Sequence, residues 1–151
     1  MGEQTIAQQL GIEEFPFIIK DENDNETYYE NSDGGWFKNE YDSNSNQIYS
    51  ESSNSYWFKN EYDSNNNKIY YENSDGDCSK CEYDSNSNQI YSEDSDGYWC
   101  KNEYDSNSKE IYYEGSNGEI RDTRPKEIVE LTLQDIAEKF NLGVDQLRIK
   151  E

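Results

Sequence analysis

The chain has 151 residues, enough for one ordinary domain and too few for two comfortable ones. It carries 34 Asp+Glu against 13 Lys+Arg, a formal net charge of -21, and it has no histidine. The charge excludes a nucleic-acid binder of the usual basic kind, and the missing histidine removes the commonest general base and metal ligand. Hydrophobic residues make up only 31% of the chain, yet aromatics make up 15%. Disordered chains are poor in rings, so this composition implies a folded protein built on them. No window approaches 18 apolar residues, which excludes a membrane-spanning helix. Met1 to Leu10 lacks the basic start and apolar run of a secretory signal, so the expected location is the cytoplasm of a bacterial cell.

In chain order, Thr5 to Leu10 reads as a short helix stopped by Gly11. A degenerate repeat covers Phe15 to Gly34, with Asp21 and Asn25 in turn positions, and Phe15 to Ile19 reads as a strand that closes the first repeat. A 21-residue period then takes over. Asn39-Glu-Tyr-Asp-Ser-Asn44 recurs at 60–65 and 102–107, and at 81–86 with Cys81 replacing Asn. Lys38, Lys59, Lys80 and Lys101 share one slot; Ile48, Ile69, Ile90 and Ile111 share another, each followed by Tyr. Each repeat predicts a hairpin: an aromatic strand (Trp36 to Tyr41), an Asx-rich turn (Asp42 to Asn46), a second strand (Gln47 to Glu51) and a second turn, fullest at Asn73-Ser-Asp-Gly76. A broken strand follows at Glu119 to Thr123, and Pro125 ends the array. Glu127 to Leu131 reads as a strand, and Thr132 as the cap of a helix over Leu133 to Phe140, stopped by Asn141. Val144 to Ile149 fits a short helix or a final strand.

The expected fold is therefore mainly β: one domain, an antiparallel meander of roughly ten strands in an elongated, twisted sheet. Residues 1–35 form an N-terminal cap and the degenerate repeat, 36–119 four repeats, and 120–151 a small αβ cap. Period-two alternation puts Phe37, Asn39 and Tyr41 on one side and Trp36, Lys38 and Glu40 on the other. The expectation is that one ring-rich face is covered while Lys and Glu pair across strands on the other.

The pairs Tyr41-Asp42, Tyr62-Asp63, Tyr83-Asp84 and Tyr104-Asp105, with Gly76, Gly97 and Gly118 before the next strands, resemble the YD repeat of the Rhs and teneurin families. The resemblance covers about two thirds of the chain and implies hairpin architecture. Ser45, Asn66, Ser87 and Ser108 depart from it, standing where those families carry Gly, and Ser55 departs at the second turn. Four or five copies are too few for the toxin-enclosing shell of the large families. The chain also looks like small stand-alone acidic repeat proteins of phages and gut bacteria. Leu131 to Phe140 is similar to the first helix of helix-turn-helix and of LysM domains, without room for the rest of either.

Three constellations invite a chemical reading. Cys78-Ser-Lys-Cys81, with Cys100 beyond, has metal or redox spacing, but strand positions three apart point to opposite faces. The expectation is reduced packing thiols and no cofactor. Asp42-Ser-Asn-Ser-Asn46 and its copies place oxygens like the opening of a calcium loop, yet Ser53, Ser74 and Ser95 stand where calcium wants a bidentate Glu. The carboxylates recur with the period, whereas catalytic residues are unique, so no enzyme is expected.

The acidity is placed unevenly: -12 over residues 36–119, -8 over 1–35 and -1 over 120–151. At two strands per repeat, this approaches one charge per roughly 3.2 Å, close to one DNA strand. The functional expectation is a non-enzymatic, phage-type inhibitor that mimics nucleic acid and blocks a basic nucleic-acid-binding host protein, such as a CRISPR nuclease. The residues expected to meet that partner are Glu40, Glu61, Glu82 and Glu103, with Glu51, Glu72, Glu93 and Glu114. The alternative is a structural or scaffold repeat module, calcium-stabilised or binding carbohydrate through exposed rings.

Overall fold

The computed structural model describes residues 4–126 and 130–147. Eleven strands form one antiparallel sheet in which spatial order equals chain order. They are β1 (Phe17–Lys20), β2 (Glu26–Glu30), β3 (Trp36–Tyr41), β4 (Gln47–Ser52), β5 (Trp57–Tyr62), β6 (Lys68–Asn73), β7 (Cys78–Tyr83), β8 (Gln89–Asp94), β9 (Trp99–Tyr104), β10 (Glu110–Gly115) and β11 (Ile120–Asp122). Helix α1 (Ile6–Leu10) precedes the sheet; α2 (Leu133–Phe140) and a 3₁₀ turn (Val144–Gln146) follow it. The expected meander is present, with eleven strands rather than ten. β1 starts at Phe17, later than the Phe15 expected, because Pro16 has no N–H to give the ladder. Of the expected strand 127–131, residues 127–129 lie outside the described residues, and Glu130 and Leu131 are not strand. Val144–Gln146 is helical, and residues 148–151 lie outside the described residues.

The turns are built by their side chains. Asp42 Oδ1 accepts the N–H groups of Asn44 (2.8 Å) and Asn46 (2.9 Å), and its Oδ2 accepts Asn46 Nδ2 (3.0 Å). Asp21, Asp63 and Asp84 repeat this arrangement. Those hydrogen bonds, led by the Asn side chain, hold each of the four carboxyls below its usual range. Ser45, Asn66, Ser87 and Ser108 have φ of +58° to +62° or +63°, a region where glycine is the unstrained choice. Their side chains explain the departure. Ser45 Oγ accepts Asn25 Nδ2 (3.1 Å), Asn66 Oδ1 accepts Asn46 Nδ2 (2.8 Å), Ser87 Oγ accepts Asn67 Nδ2 (3.0 Å) and Ser108 Oγ accepts Asn88 Nδ2 (3.1 Å). Each bond ties one turn to the next, a link glycine cannot make, and it offsets the roughly 1–2 kcal/mol of left-handed strain.

A second set of ties runs through the strands. Asn39 Nδ2 and the Tyr41 hydroxyl both donate to the Glu26 carbonyl. Asn60 and Tyr62 do the same to Gln47, and Asn102 and Tyr104 to Gln89. This is why Asn and Tyr recur: each pair satisfies a carbonyl next to a β-bulge in the preceding unit. Cys81 cannot donate as an amide does, so its link is lost. Cys81→Asn is expected to raise stability by about 1 kcal/mol, read as a higher urea midpoint at unchanged slope; an unchanged or lower midpoint would show that the slot tolerates the loss. Asn60 Oδ1 is buried without a partner because Lys68 and Tyr71 occupy the slots from which Gln47 and Ser50 donate to Asn39.

The expectation of a covered ring-rich face is not met. The buried hydrophobics among the described residues are Ala7, Tyr28 and Ala137. β3 to β10 make their substantial contacts with their sheet neighbours, and the repeat rings other than the exposed Tyr98 are half-buried. Cohesion is lateral, carried by cross-strand pairs. At the N-terminal end α1 is latched down by Glu30, 1% exposed. Its carboxylate accepts the Thr5 hydroxyl, the Ala7 N–H (3.1 Å) and the Tyr28 hydroxyl (2.7 Å). Thr5 caps α1 and Gly11, φ +64°, stops it; Thr132 and Asn141, φ +53°, do the same for α2, as the sequence predicts.

Candidate protein-interaction face

Strand alternation and register sort the side chains onto two unlike faces. One face holds Trp36, Lys38 and Glu40 of β3, Tyr49 and Glu51 of β4, and their copies. All eight predicted glutamates fall on it. The bulge at each first turn shifts the register, so facing residues line up in diagonal rows across five strands. One row runs Glu40–Tyr49–Lys59–Glu72–Cys78. The next runs Glu61–Tyr70–Lys80–Glu93–Trp99, and a third Glu82–Tyr91–Lys101–Glu114–Ile120.

The rows divide the glutamates into two kinds. Glu51, Glu72, Glu93 and Glu114 each accept a hydrogen bond from the tyrosine two residues earlier, at 3.4, 3.1, 3.0 and 3.1 Å. Each also lies opposite a lysine, and Lys59 Nζ reaches Glu72 at 3.2 Å. Giving a hydroxyl to a carboxylate raises the tyrosine: this contact is the main cause at Tyr70 and Tyr91, with burial ahead of it at Tyr49 and Tyr112. Glu40, Glu61, Glu82 and Glu103 are exposed at the head of each row. Among the described residues, Glu40, Glu61 and Glu82 make no ion pair; Glu103 holds Arg124 at 3.0 Å. The sequence pattern does not separate these two sets, because the bulge that sets the diagonal is invisible in it.

The tryptophans of this face are already occupied. Lys38 Nζ lies 4.9 Å from the Trp36 ring centre, Lys59 5.4 Å from Trp57 and Lys101 5.3 Å from Trp99. Cys78 belongs to this face and Cys81 to the other, so the CxxC thiols diverge; all three cysteines are free. The Asp oxygens of the turns are taken up by N–H donors. Among the described residues no group of three or more Cys, Asp and Glu side chains is arranged to hold a metal.

The opposite face carries Phe37, Asn39, Ser50, Phe58, Asn60, Tyr71 and their copies. Its charged residues on β3 to β10 are Lys68, Asp94 and Glu110. The Phe37 slot becomes Phe58, then Ser79, then Cys100. Where the ring is lost, an open groove of about 400 Å³ lies between Ser79, Ser92, Cys100, Tyr98 and Tyr113.

No known protein family matches the sequence, and no curated protein does either. Solved structures do. A chain of the Photorhabdus luminescens Tc holotoxin pore matches with a TM-score of 0.54 at 12% identity, over 68% of this chain and 7% of that one. The chain is therefore similar, over about two thirds of its length, to a small part of a much larger chain, and what they share is the antiparallel β-hairpin fold.

Proposed function

We propose that the protein is a non-enzymatic binding module that offers its glutamate-bearing face to a basic, nucleic-acid-binding protein and blocks it as a nucleic-acid mimic. A phage-type inhibitor of a host nuclease, such as a CRISPR nuclease, is the natural setting, and the hairpins are of YD-repeat kind. One observation carries this reading: eight glutamates, against four lysines, share one face in regular rows. The geometry also refines it. That face contributes about a third of the -12 on the four repeats; the turns at the two edges carry most of the rest. A partner therefore has to grip the face and at least one edge, as a groove does, to meet the full charge density.

The exposed row heads are the residues a partner meets first. The variant E40Q/E61Q/E82Q is expected to weaken capture of a basic nucleic-acid-binding protein and to flatten its salt dependence, with the melting temperature held. Binding by the unaltered chain should fall by orders of magnitude between about 50 and 200 mM salt. Equal capture by variant and parent, or binding indifferent to salt, would leave the second reading: a structural repeat module. That reading is favoured by the inner glutamates, whose hydrogen bonds and lysine partners are all internal to the sheet.

A further inference from the structure

We infer that the groove at Ser79, Ser92 and Cys100 is a binding site for a small arylalkyl ammonium ion: one aromatic ring on a short chain that ends in a positively charged amine. Tyr98, Tyr113 and Asp94 also line it. It lies on the face turned away from the eight glutamates, so it stands apart from the nucleic-acid-mimic reading. Its volume of about 400 Å³ is within the range of small-molecule sites.

The unit two repeats earlier shows what the groove has lost. There the same slots hold Phe37, Ser50 and Phe58, with Tyr56 and Tyr71 in place of Tyr98 and Tyr113. The Phe58 and Tyr71 ring centres lie 6.3 Å apart, the Tyr56 and Tyr71 hydroxyls meet at 3.2 Å, and Asn73 Nδ2 donates to the Tyr71 hydroxyl at 3.1 Å. That unit is closed by the protein's own rings. In the later unit Ser79 replaces Phe37, Cys100 replaces Phe58 and Gly115 replaces Asn73, while both tyrosines are kept. The bond that joins Tyr56 to Tyr71 has no counterpart between Tyr98 and Tyr113 among the described residues, and Tyr98 is 65% exposed. What has gone is ring volume beside two retained tyrosines. The group that fits such a gap is another aromatic ring, which packs on its neighbours as Phe58 does.

The charges select the rest of the ligand. Asp94 Oδ1 accepts the N–H groups of Asp96 and Tyr98, both at 3.0 Å. Among the described residues its Oδ2 has no donor and Asp94 forms no ion pair. Arg121 lies 4.2 Å from the Tyr113 ring centre, but Glu110 and Glu119 answer it at 3.2 and 3.3 Å. The unmatched charge at the groove is therefore negative, in a chain of net charge -21. Such a field concentrates cations and repels anions. An ammonium close to the ring meets Asp94 in a charge-assisted hydrogen bond, and the tyrosine faces attract it as well. A neutral ring would leave the carboxylate oxygen unanswered, and an aromatic acid would be repelled by it.

An NMR titration that follows the Tyr98 and Tyr113 ring signals tests this, in about 0.15 M salt so that the general attraction of cations to an acidic chain is screened. Phenethylamine is expected to saturate with a Kd of roughly 0.1–1 mM, ordinary for so small a ligand. Butylamine has the charge without the ring, and hydrocinnamate has the ring with the opposite charge; each is expected to bind roughly 10-fold more weakly or worse. Two variants install residues that other repeats carry in the same slots. Cys100→Phe puts back the ring of Phe58 and is expected to weaken phenethylamine binding roughly 10-fold or more. Asp94→Asn copies Asn73, whose Oδ1 accepts the Asp75 and Asp77 N–H groups, so the turn is kept. It is expected to erase most of the preference for phenethylamine over hydrocinnamate, with the circular dichroism unchanged. No saturation below about 10 mM, equal binding of the three probes, or Cys100→Phe binding as tightly as the parent would overturn the proposal. So would a blocked peptide of one phenylalanine between two lysines that binds roughly 10-fold tighter than phenethylamine, because the groove would then belong to a partner chain.

Discussion

Raising the pH through the tyrosine range is expected to unfold the protein in one cooperative step. Tyr28, Tyr41, Tyr49, Tyr56, Tyr62, Tyr70, Tyr83, Tyr91, Tyr104 and Tyr112 are all shifted upward from 10.0. Burial leads at Tyr28, Tyr41, Tyr62, Tyr83 and Tyr104; a side-chain hydrogen bond leads at Tyr56, shared with the Tyr71 hydroxyl, and at Tyr70 and Tyr91, donated to a glutamate. A folded value above the unfolded one means the fold favours the protonated ring. The stabilisation is whole below pH 10 and is lost as the pH climbs through the folded values, which reach about 12 at Tyr28. Tyr28 is 3% exposed, and a shift of that size corresponds to about 3 kcal/mol. A typical domain has only about 5–15 kcal/mol in total. The check is to follow tyrosinate absorbance and far-ultraviolet circular dichroism in one titration. The two should move together above pH 10. Rings ionising one by one near 10, with the sheet signal unchanged, would contradict the account.

Glu30→Ala is expected to cost about 3 kcal/mol or more and to release α1. The Thr5 hydroxyl, the Ala7 N–H and the Tyr28 hydroxyl all end on this carboxylate. Each hydrogen bond to a charged group contributes about 1.5–3 kcal/mol, and the donors left behind sit where water enters poorly. Burial pushes the Glu30 carboxyl up, but the Thr5, Tyr28 and Ala7 donors outweigh it and hold it below its usual value. Its contribution is therefore complete above the ordinary glutamate range and is lost as the pH falls through the lowered folded value. The turn aspartates share that sign. Hydrogen exchange at Ala7 reads the latch directly: fast in Glu30→Ala and in acid, slow in the parent at neutral pH. A protected Ala7 amide in the variant would mean that α1 is held by something else.

The hairpins were legible because their signals are local. Aromatic strands, Asx turns and a 21-residue period sit within one repeat, and so do Thr132 and Asn141 at the ends of α2. Glu30 was not legible. In sequence it is one more acid in an acidic segment, and its partners Thr5 and Ala7 lie 25 and 23 residues away. The eight glutamates were found as a set, but their division into row heads and lysine-paired members depends on bulges at Glu40/Tyr41 and its copies. The recurring Asn and Tyr were visible as a pattern, while their target, a carbonyl in the previous unit, was not. The covered face was expected from the number of rings; in the single sheet each ring leans on its cross-strand neighbours, as Tyr29 stacks on Phe37 at 4.8 Å.

The ties between turns, from Asn25 to Ser45 through Asn88 to Ser108, and those from Asn and Tyr to the preceding carbonyl each reach one unit back and no further. No side chain in the array depends on how many units there are. A gene encoding such a chain can gain or lose a whole 63-nucleotide block, three per residue of the 21-residue period, and still specify a protein in which every junction is an old one. The length of the acidic surface is then open to change by recombination between near-identical copies, without any new packing having to be invented.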